Sequence, residues 1–204
     1  MIFPPPSKTN IQAHILAGGR ASRMQGTDKG LLELNGKPLV VHVIEQLRSQ
    51  VTNICITANR HLEQYQRYGC PVITDSEAGF LGPLAGIHSA LLTCHSEWLL
   101  TVPVDCPFLP EDLVIRLSQA VTSAQRPVAV VHDGIGLQPT FCLLHHSLAA
   151  NLQQYLEQGG RKTSAWLRQH NPALADYSDN PDAFFNINSS ADLALAVKRL
   201  AHDD

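Results

Sequence analysis

The stretch Leu16-Ala17-Gly18-Gly19-Arg20-Ala21-Ser22-Arg23-Met24-Gln25-Gly26-Thr27-Asp28-Lys29 carries more information than any other part of the chain. It follows a short apolar run ending at Leu16 that reads as the end of a strand. Its glycines, arginines and small polar residues are not what a packed core needs, so it reads as a loop. Two consecutive glycines let the backbone take positive φ and let several N–H groups converge on one anion. Arg20, Arg23 and Lys29 add fixed positive charge nearby, and arginine can hold a phosphate through two parallel hydrogen bonds. Phosphate is the natural ligand, although glycines and cations alone would fit a solvated surface loop equally well.

Two common phosphate motifs do not describe this loop. A P-loop requires G-x-x-x-x-G-K-S/T, whereas Lys29 follows Asp28 and the chain contains no Gly-Lys-Ser/Thr. The dinucleotide fingerprint G-x-G-x-x-G is not supplied by Gly18-Gly19.

Outward from the loop, strand and helix alternate. Strands are predicted at 11–16, 53–58, 71–74 and 98–104, the last a continuous apolar run of the kind buried on both faces of a parallel sheet. Helices are predicted at 38–49, with one apolar face in Leu39, Val40, Val43, Ile44 and Leu47, at 60–68, and at 84–94. Residues 110–123 predict a helix with Glu111 and Asp112 in its first turn. Residues 128–132, the turn Asp133-Gly134-Ile135-Gly136 and 137–144 predict a strand followed by an antiparallel partner. Helices at 146–157, 163–170 and 190–200 and a last short strand at 184–187 complete the chain. The expected fold is a three-layer α/β/α Rossmann-like sheet, mostly parallel with one antiparallel strand, whose ligands collect at the carboxyl ends of the strands.

Composition narrows the function classes. The 204 residues suit one domain, with 1–10, which include three consecutive prolines, as a flexible tail and 11–204 as a single domain. A net charge of -3 argues against nonspecific nucleic-acid binding. Cys55, Cys70, Cys94, Cys106 and Cys142 are scattered without a C-x-x-C, which predicts reduced thiols. No segment approaches the ~20 apolar residues of a membrane span, and no signal peptide is recognisable. A cytoplasmic protein with neither nucleic-acid nor membrane partners is expected.

The loop and its continuation Gly30-Leu31-Leu32-Glu33-Leu34-Asn35-Gly36-Lys37-Pro38-Leu39 resemble the L-A-G-G-x-x-x-R-M-G-x-D-K signature of nucleotidyltransferases with the glycosyltransferase-A-like fold. Within that group the chain resembles the molybdenum cofactor guanylyltransferases, which transfer GMP from GTP to molybdopterin. Two departures are Met24-Gln25-Gly26, where the family usually has Met-Gly-Gly, and Thr57-Ala58-Asn59, where it commonly has Asn-Ala-Asn.

The resemblance implies a set of site residues. Leu16, Ala17, Gly18 and Gly19 would cradle the nucleotide, with Lys29 and Arg23 on its phosphates as catalytic cations. Thr57, Asn59, Asp75, Gly82 and Pro83 would complete the nucleotide site. Asp105, directly after the apolar strand, would contact the nucleotide and bind Mg²⁺, which takes oxygen ligands; on its own it would read as an aspartate opening a turn before Pro107. Gly159-Gly160-Arg161-Lys162 is either an ordinary helix end or, through Arg161 and Lys162, a clamp for the phosphate of the acceptor. Asn186 and Asn188 would contact the acceptor with a lesser metal role, since amide oxygens bind Mg²⁺ weakly.

The implied reaction needs no strong general base, because a phosphate monoester with a second pKa of about 6 is already anionic at neutral pH. Expected partners are GTP and molybdopterin, with other proteins of molybdenum cofactor biosynthesis and recipient molybdoenzymes or their chaperones beyond them. Two alternatives stay open: a CTP-dependent enzyme acting on molybdopterin or a small phosphorylated acceptor, and a catalytically silent nucleotide-binding carrier.

Overall fold

The computed structural model describes residues 3–18, 28–74 and 82–201. Strands β1 (Ile11–Leu16), β4 (Asn53–Thr57), β5 (Val72–Ile73), β6 (Trp98–Pro103), β7 (Val128–His132), β8 (Leu137–His145) and β9 (Ala173–Asp176) form one sheet in the order β5-β4-β1-β6-β8-β7-β9. Only β8 runs antiparallel to its neighbours. A separate hairpin, β2 (Glu33–Leu34) with β3 (Lys37–Pro38), turns at Asn35-Gly36, both at positive φ, as the tightest hairpin turns require.

Helices cover both faces. Alternate residues of β6 explain this: Trp98, Leu100 and Val102 pack with α1 (Leu39–Arg48) and α4 (Leu113–Ala124), while Leu99 packs with α3 (Pro83–Thr93), α5 (Ala149–Glu157) and α6 (Thr163–Gln169). The predicted apolar face of α1 is buried in full. The short α2 (Leu62–Gln66) adds Tyr65 to the first face, and α7 (Ser190–Leu200) packs Ala196 with Leu34, Leu39 and Ile187.

Strand β1 is central, with β4 on one side and β6 on the other. The connections after β1 and β5 therefore run in opposite directions along the sheet, and at such a switch point the loops diverge and leave a crevice.

Several expectations change. Helix α4 starts at Leu113, so Glu111 and Asp112 precede its first turn, and Asp112 bonds instead with Arg116 Nε at 2.7 Å and the Tyr177 hydroxyl at 2.9 Å. Residues 184–187 are not a strand: Pro181–Phe184 forms a 3-10 turn, and Ile187 N–H donates to Asp105 O at 2.9 Å rather than to a ladder. The edge position goes to β9, parallel to β7. Residues 3–10, expected as a flexible tail, lie against the domain: Trp98 Nε1 donates to Pro4 O at 3.0 Å, Phe3 stacks edge-on against Trp98, and Lys8 Nζ reaches Ser49 O at 2.9 Å.

Candidate active site

The ends of β1 and β6 open into a cleft of about 260 Å³. Leu16, Ala17 and Gly18 form one wall, Pro103, Val104 and Asp105 another, and Asp28, Lys29, Arg60, Pro83, Thr140 and Asn186 close it. The backbone ties these walls together, since Ala17 N–H donates to Thr57 O at 2.8 Å and Val104 N–H to Leu16 O at 3.2 Å.

Lys29 stands in a 3-10 turn, Lys29–Leu31, capped by Asp28, whose carboxylate accepts from Gly30 N–H. Its ammonium lies 2.8 Å from Asp105 Oδ2 and 2.6 Å from Asn188 Oδ1. Each side chain of the Lys29–Asp105 pair keeps some solvent contact, 27% and 17% exposed. A cation and a carboxylate thus share the cleft where a charged ligand can reach both.

Asn186 is held differently. Its Oδ1 accepts from the buried Cys106 thiol at 3.0 Å, and its Nδ2 donates to Phe184 O at 3.4 Å. Burial, and then the neighbouring Asp105 carboxylate, push the Cys106 thiol well above its ordinary range, so it stays protonated and able to donate. The amide oxygen of Asn186 is therefore already engaged. Among the described residues no cluster of three His, Cys, Asp or Glu could form a metal cage on its own.

The other implied residues fall in distinct places. Thr57 is buried, its hydroxyl 3.1 Å from Nδ1 of the buried His14, so the side chain faces the interior rather than the cleft. Asn59 is exposed just beyond β4. Gly82, at φ 98°, lets the chain turn into α3 so that Pro83 reaches the cleft wall. Arg161 donates to the carbonyls of Leu156 and Gly160 at the end of α5, and Lys162 immediately precedes α6; neither lines the cleft. Gly19, Arg23 and Asp75 lie outside the described residues. Arg60, Asp28 and Thr140 also line the cleft without being expected there; for Arg60 the signal was its position just past the end of β4.

A mostly parallel α/β sheet with a cleft at its strand ends is the architecture of the nucleotidyltransferases of the glycosyltransferase-A-like fold. A solved structure of molybdopterin-guanine dinucleotide biosynthesis protein A from Archaeoglobus fulgidus superposes with a TM-score of 0.78 at 24% identity, covering 94% of this chain and 99% of that one, and so shares the fold. Residues 13–173 match the MobA-like NTP transferase domain, and the chain belongs to that family. The molybdenum cofactor guanylyltransferase of Shewanella frigidimarina (strain NCIMB 400) is 48% identical over 179 residues, 88% of this chain and 91% of that protein. The protein of the same name from Pasteurella multocida (strain Pm70) is 46% identical over 183 residues, 90% and 97% of the two chains.

Proposed function

We propose that this protein transfers the GMP unit of GTP to the terminal phosphate of molybdopterin, forming the guanine dinucleotide of the cofactor and releasing pyrophosphate. Near-full-length identity to molybdenum cofactor guanylyltransferases supports the substrates, and the observation that carries the mechanism is the Lys29–Asp105 pair inside the cleft.

The acceptor phosphate is nucleophilic at neutral pH, so the protein's task is to align anions and stabilise charge on the α-phosphoryl oxygens and departing pyrophosphate. The backbone at Leu16, Ala17, Gly18 and Gly19 holds the triphosphate, and Lys29 and Arg23 stabilise it during transfer. Thr57, Asn59, Asp75, Gly82 and Pro83 complete the nucleotide site; Thr57, whose side chain faces inward, contributes its backbone, since its carbonyl fixes Ala17.

Asp105 fits a hard cation shared with substrate phosphates, the usual way Mg²⁺ is held, and is the residue that would hold it. Bound there, Mg²⁺ would neutralise phosphate charge. Asn186 and Asn188 are assigned to the acceptor beside the cleft, and Arg161 and Lys162 to a clamp on the acceptor's phosphate. Other proteins of cofactor biosynthesis supply molybdopterin, and recipient molybdoenzymes or their chaperones take the product, in the cytoplasm.

Calorimetric titration with GTP, CTP and ATP, with and without Mg²⁺, tests the substrate. Preference for GTP that strengthens with Mg²⁺ is expected, and preference for CTP would replace the nucleotide while keeping the mechanism. Lys29→Ala should lower turnover on the order of 10²-fold, as loss of one transition-state donor does; near-normal turnover would remove Lys29 from the chemistry.

A further inference from the structure

Among the described residues, two carboxylates line the cleft, Asp28 and Asp105, where the proposed reaction brings phosphates. Lys29 offsets Asp105. Asp28 is buried and has a different partner: the phenol of Tyr65 donates to its Oδ1 at 2.6 Å, and the N–H of Gly30 donates to the same oxygen at 3.2 Å. Tyr65 is itself fully buried, supplied by α2 from the far side of the turn that carries Lys29. Burial, and then the bond to Asp28, keep its hydroxyl protonated at any physiological pH, so it is a permanent donor.

The fit around this bond is tight. A Cβ added at Gly30 would meet the Tyr65 hydroxyl and lie 2.9 Å from Val104 Cγ2, so a glycine next to Lys29 is what lets the phenol reach Asp28. Gly30, Tyr65 and Asp28 therefore form one braced unit whose only charged projection into the cleft, among these residues and Lys29–Leu31, apart from Asp28 itself, is the ammonium of Lys29.

We infer that Tyr65 is a positioning residue for the transfer reaction: by donating to Asp28, which caps the turn, it fixes the turn that aims Lys29. This rests on the reading of Lys29 as the catalytic cation. A rigid support of this kind governs rate more than binding, because small misplacements of a reacting group are costly to turnover.

The test is a double-mutant cycle of Tyr65→Phe and Lys29→Ala, reading kcat and KM for GTP, with unfolding midpoints measured alongside. Tyr65→Phe keeps the ring and removes only the donor. It is expected to lower kcat on the order of 10-fold with KM little changed, and to add nothing in the Lys29→Ala background, since both substitutions remove the same contribution. Losses that multiply in the double variant, or a kcat for Tyr65→Phe equal to that of the unmodified protein, overturn the inference while leaving Lys29 in place. A general loss of stability would lower activity in both backgrounds equally and so falls on the overturning side. Normal turnover in Lys29→Ala alone overturns the catalytic reading, and with it the role given to Tyr65. If Tyr65→Phe does not fold, Asp28→Asn removes the charge that Tyr65 donates to and is read in the same cycle.

Discussion

Lys29 and Asp105, separated by 76 positions, close a 2.8 Å ion pair at the point where the strand ends β1 and β6 meet. Each neutralises the other; in the proposed reaction Lys29 would turn to the phosphates and Asp105 to the metal. Asp105→Asn keeps the shape and removes the charge. Turnover should fall on the order of 10²-fold, and higher Mg²⁺ should recover part of it, as kinetics over a Mg²⁺ series would show. Turnover insensitive to the substitution would place the cation elsewhere.

His14 gives the fold an acid-sensitive element. Burial lowers its pKa from 6.5 to about 4. In the unfolded chain it takes up a proton near 6.5, so between about pH 6.5 and 4 the unfolded state binds more protons and stability falls as pH falls. The loss attributable to His14 over that window is about 3 kcal/mol, complete below the folded pKa. His145 and His170 are shifted in the same direction, by burial first. Denaturant midpoints across this range should slope less in His14→Leu; an unchanged slope would mean that His14 stays solvated.

Gly30→Ala should destabilise the protein by about 1–3 kcal/mol, the usual cost of forcing an extra methyl into a filled space. The added carbon would also lie 3.2 Å from Tyr65 Cε1, so the ring must move as a body. Urea unfolding measures this directly, and a neutral result would show that the brace yields cheaply.

Removing residues 1–5 should uncover Trp98, which is 1% exposed and donates to Pro4 O. A red shift in tryptophan emission and a loss on the order of 1–3 kcal/mol are expected from an exposed ring and a broken hydrogen bond. Unchanged emission would mean that Phe3 and Pro4 do not shield the ring.

The parts legible in the sequence were those set by local pattern. The apolar runs of β1 and β6, the spacing of Leu39 to Leu47 in α1 and the glycine turn before β8 each mark their element because one periodicity decides them. Lys29 and Asp105 stood out as a loop cation and a strand-end carboxylate, and the folded chain brings these two together. What was not legible depends on distant neighbours. Leu174 and the small alanines of β9 give little apolar signal, whereas Phe184 and Phe185 look like a strand but are drawn to separate contacts. Thr57 looks like a ligand contact until its place on β4 turns it toward His14. Tyr65 looks like one aromatic residue in a polar helix, and only the folded chain shows that its hydroxyl meets Asp28.

The bond between Lys29 and Asn188 spans 159 positions. During translation the residues of the cleft leave the ribosome one after another, and domains generally fold as units as the chain emerges. The loop that holds Lys29 is therefore made well before its second acceptor. A nascent chain interrupted before Asn188 therefore carries the lysine without its full set of restraints, and the complete site arises only once that residue has emerged.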